Sequence, residues 1–106
     1  MDLKQMGENL GLEPGEFADI VTLFVTTAES DIEKIRKGVL QKDALSVSEA
    51  AHSLKGSSGN LGFLQMSDVA LTAEKKASEN NLTGFEDMTR ILTDHLNEIK
   101  TLLKQV

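Results

Sequence analysis

Cysteine is absent from this 106-residue chain, so it can build no disulfide framework, cysteine zinc site or thiol nucleophile. Tryptophan and tyrosine are absent too, and four phenylalanines leave little surface for stacking nucleic-acid bases. Basic side chains are the minority, with eleven Lys and Arg against seventeen Asp and Glu and a net charge of −6. That is the wrong sign for wrapping nucleic acid or for lying on an anionic membrane. No apolar run approaches the ~20 residues needed to cross a bilayer. The longest apolar-leaning stretch, Ala18 to Ala28, is broken by Asp19 and several threonines. The first residues lack the basic segment and apolar stretch of a secretory signal, so a soluble cytoplasmic protein is expected. A phosphate-cradling glycine loop is also missing, and with it any expectation of an ATP site.

The length suits one domain, residues 1–106, with a core that needs no staples. The single proline, Pro14, suits the first turn of a helix, where its missing N–H has no partner to lose. From there Phe17, Ile20, Val21, Phe24, Ala28, Ile32, Ile35 and Val39 recur at steps of three and four, one apolar stripe over roughly seven turns. Leu3, Met6 and Leu10 mark a short helix ahead of it, ended by Gly11. Further on, Met66, Val69, Ala70, Ala73 and Ala77 form a stripe within Gln65 to Asn80, with alanines that allow close helix approach. Phe85, Met88, Ile91, Leu92, Leu96, Ile99, Leu102, Leu103 and Val106 form the last one, and Thr83 with Glu86 reads as its capping box. No stretch alternates with period two. The fold class predicted is all-α, an antiparallel four-helix bundle with a short additional N-terminal helix.

Asp43 to Leu61 carries the functional information. With residues ~100° apart on a helix and His52 as zero, Val47, Ala50, Ala51, Leu54, Ser58 and Leu61 fall within roughly 160–260°. His52 therefore points away from the core. Gly56 and Gly59 lie within about 40° of it, and Leu45 and Ser48 share that face, with Lys55 at its edge. Each glycine inside a helix costs about 1 kcal/mol relative to alanine. Two of them beside an exposed histidine would leave a smooth backbone that another macromolecule could approach closely. By punctuation alone, Lys55 to Asn60 reads equally well as a loop, although Leu54, Ser58 and Leu61 keep the helical register through it.

The run Ala50-Ala51-His52-Ser53-Leu54-Lys55-Gly56-Ser57-Ser58-Gly59-Asn60-Leu61-Gly62-Phe63 closely resembles the signature of histidine-containing phosphotransfer (HPt) domains. The resemblance extends to length and helix order over nearly the whole chain. It implies that the helix runs on through the glycines and that His52 is a phosphoryl acceptor. Imidazole suits that task as a nucleophile largely uncharged at neutral pH. The resemblance further implies that Lys55 contacts the phosphoryl oxygens, that Gly56 lets a partner approach, and that Glu74 on the following helix accepts from the imidazole Nδ1. Such an acceptor would fix the tautomer and leave Nε2 free.

The function implied is phosphorelay: the chain would carry a phosphoryl group between a sensor or hybrid histidine kinase, or a receiver-domain aspartate, and another response-regulator receiver. It would be a carrier and not an enzyme with its own ATP site. No cofactor is expected on this chain, Mg²⁺ being supplied by the receiver, and a monomer is expected. Glu74, where relay domains carry Gln, favours a second reading as the phosphorylated module of a chemotaxis-type or hybrid kinase. The initial methionine favours a free-standing protein, and a helical adaptor that only binds is the remaining alternative. His95 lies on the last apolar stripe, where a histidine serves packing. A metal site from His52 and His95 would need more ligands and opposite orientations. Ser57 and Ser58 lack the strand-borne elbow of a serine hydrolase.

Overall fold

The computed structural model describes residues 2–105. Five helices follow in order: α1 (Leu3–Asn9), α2 (Pro14–Leu40), α3 (Ala44–Leu61), α4 (Leu64–Ser78) and α5 (Phe85–Leu103). No strand occurs among the described residues. The 27 residues of α2 rise ~1.5 Å each, and this helix sets the 42 Å long axis of a bundle 21 by 18 Å across. α2 and α4 each pack on both α3 and α5, which places α3 diagonally opposite α5, while α1 lies against α2. The expected four-helix bundle with a short N-terminal helix is the observed fold.

The helix ends follow local chemistry. Asp2 and Asp43 cap α1 and α3 by accepting the backbone N–H groups of Gln5 and Ser46, each at 3.2 Å. Pro14 opens α2, and the Glu16 carboxylate reaches back to the N–H of Glu13 at 3.0 Å. α3 ends at Gly62, whose φ of +90° lies in the left-handed region that glycine adopts without strain. The Phe63 N–H then returns to the Ser58 carbonyl at 2.9 Å. This turn buries the Phe63 ring 5.2 Å from that of Phe24 and reverses the chain into α4.

Two expectations need correction. Thr83 and Glu86 do not form a capping box, because the Thr83 hydroxyl and N–H are both taken by the Asn81 side chain, at 2.7 and 3.1 Å. Gly84, with φ of +77°, caps α5 instead. Ile20, on one flank of the α2 stripe, is 37% exposed, and Val25, on the opposite flank, is buried instead. Val106, last on the α5 stripe, lies outside the described residues. The remaining stripes meet in one core: Phe17, Val21, Phe24, Ile32 and Ile35 from α2, Val47, Ala51 and Leu54 from α3, Met66, Ala70 and Ala73 from α4, and Phe85, Leu92 and Ile99 from α5. No helix among the described residues is long and apolar enough to cross a membrane.

Candidate functional site

α3 runs unbroken from Ala44 to Leu61, so the Lys55 to Asn60 segment is helix and not loop. Buried Leu54 and Ser58 hold it to the core, and the Ser58 hydroxyl donates to the Leu54 carbonyl. With that face inward, the His52 side chain stands 68% exposed on the opposite side.

α4 runs back along α3 and brings Glu74 over the histidine. His52 Nδ1 lies 2.6 Å from Glu74 Oε2, and Lys55 Nζ donates to Glu74 Oε1 at 2.7 Å. The Lys55 ammonium bonded to it, more than the His52 ring, holds the Glu74 carboxyl below the ordinary glutamate value against the opposing effect of partial burial. An ionised carboxylate only accepts hydrogen bonds, so Nδ1 must carry the proton in the Nδ1–H···O bond. That assigns the neutral ring its tautomer and leaves the lone pair on Nε2, which has no partner among the described residues. Beyond Nε2 the surface is low: a Cβ built on Gly56 would meet no heavy atom within 4 Å. The centre is therefore an oriented nucleophilic nitrogen, a cation one helical turn away and a bare backbone beside them. Among the described residues no cluster of three or more His, Cys, Asp or Glu is placed to hold a metal ion.

The family profile described as Hpt domain matches residues 19–106. The chain belongs to the Hpt family. Hpt domains are phosphocarriers of histidine phosphorelay and not kinases with an ATP site of their own. The crystal structure of histidine-containing phosphotransfer protein B (HptB) from Pseudomonas aeruginosa PAO1 has the same helical arrangement. It matches with a TM-score of 0.86 over 99% of this chain and 91% of that one, at 20% sequence identity. No curated protein matches the sequence.

Within this Hpt domain the expected site residues separate into three groups. His52, Lys55 and Glu74 meet in one hydrogen-bonded cluster, in which Lys55 is engaged by Glu74 as well as lying near the imidazole. Leu45, 70% exposed, and Gly56 lie open on the outer face. Ser48 and Gly59 are instead half-buried in the seam between α3 and α4. The Ser48 and Ser78 hydroxyls lie 3.1 Å apart, and a Cβ on Gly59 would sit 3.1 Å from Ser67 Oγ. The smooth face beside His52 thus rests on Gly56, while Gly59 serves helix contact. His95 is half-buried on α5, diagonal to the acceptor helix, and lines a cleft of about 380 Å³ with Met6, Phe63, Met66 and Ile99.

Sequence reasoning missed four residues. Leu64 and Leu71 on α4 are 66% and 36% exposed, and the helical period puts them on the side that carries Ser67 and Glu74. Asp31 is buried on α2 and accepts from the Ser53 hydroxyl at 2.8 Å, bracing the residue that follows His52. Its signal was legible: a carboxylate three residues after Ala28 and four before Ile35 occupies an apolar register position. Ser67 lies seven residues before Glu74 and hence on the same helix face, but nothing in the sequence marks its partner.

Proposed function

We propose that this Hpt domain carries its phosphoryl group on Nε2 of His52, receiving it from a receiver-domain aspartyl phosphate or a histidine kinase and passing it to a receiver aspartate. The observation that carries the assignment is the 2.6 Å contact of Nδ1 with Glu74, which leaves Nε2 as the exposed nucleophile. In the forward step the Nε2 lone pair attacks phosphorus in line, the Nε2–P bond forms, the P–O bond to the partner breaks, and the carboxylate leaves. No proton need move. The ring, phosphorylated on Nε2 and still protonated on Nδ1, becomes a cation, and Glu74 is the counter-charge already in contact with it. Lys55 offsets the charge on the phosphoryl oxygens. The partner supplies Mg²⁺ and the remaining catalytic groups, and Leu45, Gly56, Leu64 and Leu71 form the face it meets. Receivers of this kind place the domain in the cytoplasm, where it acts as a monomer.

Glu74 in place of a glutamine supports a second owner for the same chemistry, the phosphorylated module of a chemotaxis-type or hybrid kinase. One experiment addresses both. The chain and its His52→Gln variant are incubated with phosphorylated receiver domains, with kinases and ATP, and with a small phosphoramidate donor. Acid-labile, base-stable label is expected on the parent alone, while the variant keeps the parent's helical circular dichroism and melts within about 2 °C of it, since an exposed side chain is changed. Transfer from kinases but from no receiver would favour the module. Label on His52→Gln would overturn the assignment.

A further inference from the structure

On the phosphotransfer reading, the structure assigns a positioning role to Ser67, with glycine at 59 as its requirement. The Ser67 hydroxyl crosses the α3–α4 seam and donates to the main-chain carbonyl of Lys55 at 3.0 Å. The crossing is possible because position 59 has no side chain, a Cβ there lying 3.1 Å from Ser67 Oγ. Lys55 is thereby held twice by α4, at its carbonyl by Ser67 and at its ammonium by Glu74. Seven residues separate these two on α4, about two turns and within ~20° of the same direction. A bond at Ser67 therefore sets both the axial position and the rotation of the helix that brings Glu74 to His52.

The rest of the seam cannot set them as sharply. Many of the buried side chains on the two helices are small, Ala51 and Ser58 on α3 and Ala70, Ala73 and Ala77 on α4, while the larger Val47, Leu54 and Met66 belong to the common core. Small side chains let the helices approach but interlock little, so a slide along the seam meets few steric stops. A slide of ~1.5 Å along the axis, the rise of one residue, would stretch the 2.6 Å contact of Glu74 with Nδ1 to roughly 3.0 Å when taken at right angles to it and pull it out of line, weakening it. Apart from the bonds of Glu74 itself, the other polar link across the seam among the described residues, Ser48 with Ser78, is exposed, and water can replace it. Ser67 is partly buried, and its bond holds the main chain of Lys55, a residue of the acceptor centre.

The test uses the whole chain with Ser67→Ala, Ser67→Thr, Gly59→Ala and Ser78→Ala. The His52 ring is followed by ¹⁵N–¹H NMR, and phosphoryl transfer from a receiver is measured as kcat and KM. Ser67→Ala is expected to lower kcat about tenfold, the scale of loss from a sub-ångström misplacement of reacting groups. KM should stay within about twofold, because the docking face is untouched. The Nδ1–H tautomer signature of His52 should weaken in Ser67→Ala and in Gly59→Ala, since the second change displaces the same hydroxyl from the other side. Ser67→Thr keeps the hydroxyl and should restore both readings, and Ser78→Ala should change neither. A parental tautomer signature and kcat in Ser67→Ala, a defect confined to KM, or no rescue by threonine would overturn the proposal. If the parent itself accepts no phosphoryl group, the functional reading fails, while the ring signature still decides the role of Ser67.

Discussion

Three helical glycines permit a quantitative test, because the same substitution meets three different surroundings. Replacing glycine by alanine inside a helix stabilises by up to ~1 kcal/mol, mainly by restricting the unfolded chain. At Gly56 a Cβ meets nothing within 4 Å, so the full gain is expected. For a domain of this size that corresponds to a rise of about 4 °C or more in Tm. At Gly38 a Cβ would lie 2.6 Å from Val47 Cγ2 and 3.3 Å from the Asp43 carbonyl, so buried side chain and backbone would both have to shift. Overpacking of that kind costs about 1–3 kcal/mol, which outweighs the gain and leaves Gly38→Ala destabilised. At Gly59 the obstacle is one hydroxyl, 3.1 Å away, whose displacement loses a hydrogen bond worth about 1 kcal/mol. Gain and loss nearly cancel there, and Gly59→Ala should be close to neutral. In a Ser67→Ala background the obstacle is gone and the gain should reappear. Urea denaturation followed by circular dichroism, with unchanged m-values, measures all four. Function should separate from stability at Gly56. Gly56→Leu should fold, accept label from a small phosphoramidate, and lose at least about tenfold in transfer from a receiver, the cost of obstructing a docking face. A destabilised Gly56→Ala would refute the open helical face, and normal transfer from a receiver to Gly56→Leu would refute docking there.

His95→Ala should lower stability by roughly 1 kcal/mol, as expected for a half-buried side chain, and spare transfer; lost transfer in a folded variant would mean that the α5 histidine takes part. The two carboxylates flanking α3 should respond to pH with opposite signs. Burial, opposed by the Ser53 hydroxyl and by Lys34, lifts the Asp31 carboxyl above its ordinary value; Lys37 and Glu49 line the same cleft, so these charges face the group from α2 and α3. The folded state thus binds the Asp31 proton more tightly than the unfolded chain, and its ionisation costs stability as pH rises through the folded value. Asp31→Asn, which keeps an acceptor for Ser53, should exceed the parent in stability near pH 7.5 and lose that advantage toward about pH 4, the unfolded range of aspartate. Glu74 is lowered, so its contribution is present above the unfolded glutamate value and fades as pH falls through the folded one, and Glu74→Gln should cost more at pH 7.5 than at pH 3. Denaturant titrations at these pH values check both signs; an Asp31→Asn variant weaker than the parent at pH 7.5 would refute the cost of burying that charge.

Much of the fold was legible because helical periodicity belongs to each segment alone. The spacing of Phe17, Val21, Phe24 and Ile32 dictates one buried face wherever that helix is placed. Likewise Val47, Ala51 and Leu54 turn His52 outward before any neighbour is considered. The sequence by itself therefore determined the helical class, the stripes of the core, and the side of α3 on which the histidine stands. What it could not determine were relations between helices. Gly56 and Gly59 share a face by angle, yet one is open and the other lies under Ser67, because only the packed position of α4 tells them apart. Thr83 and Glu86 have the spacing of a cap, but Asn81 claims the threonine first. Asp31 and Ser53 are 22 residues apart, as are His52 and Glu74, and their bonds exist because buried alanines and aliphatic side chains set the helices at the distance those bonds need. Angles around one helix follow from its own backbone, whereas distances between helices follow from the volumes of all the side chains between them.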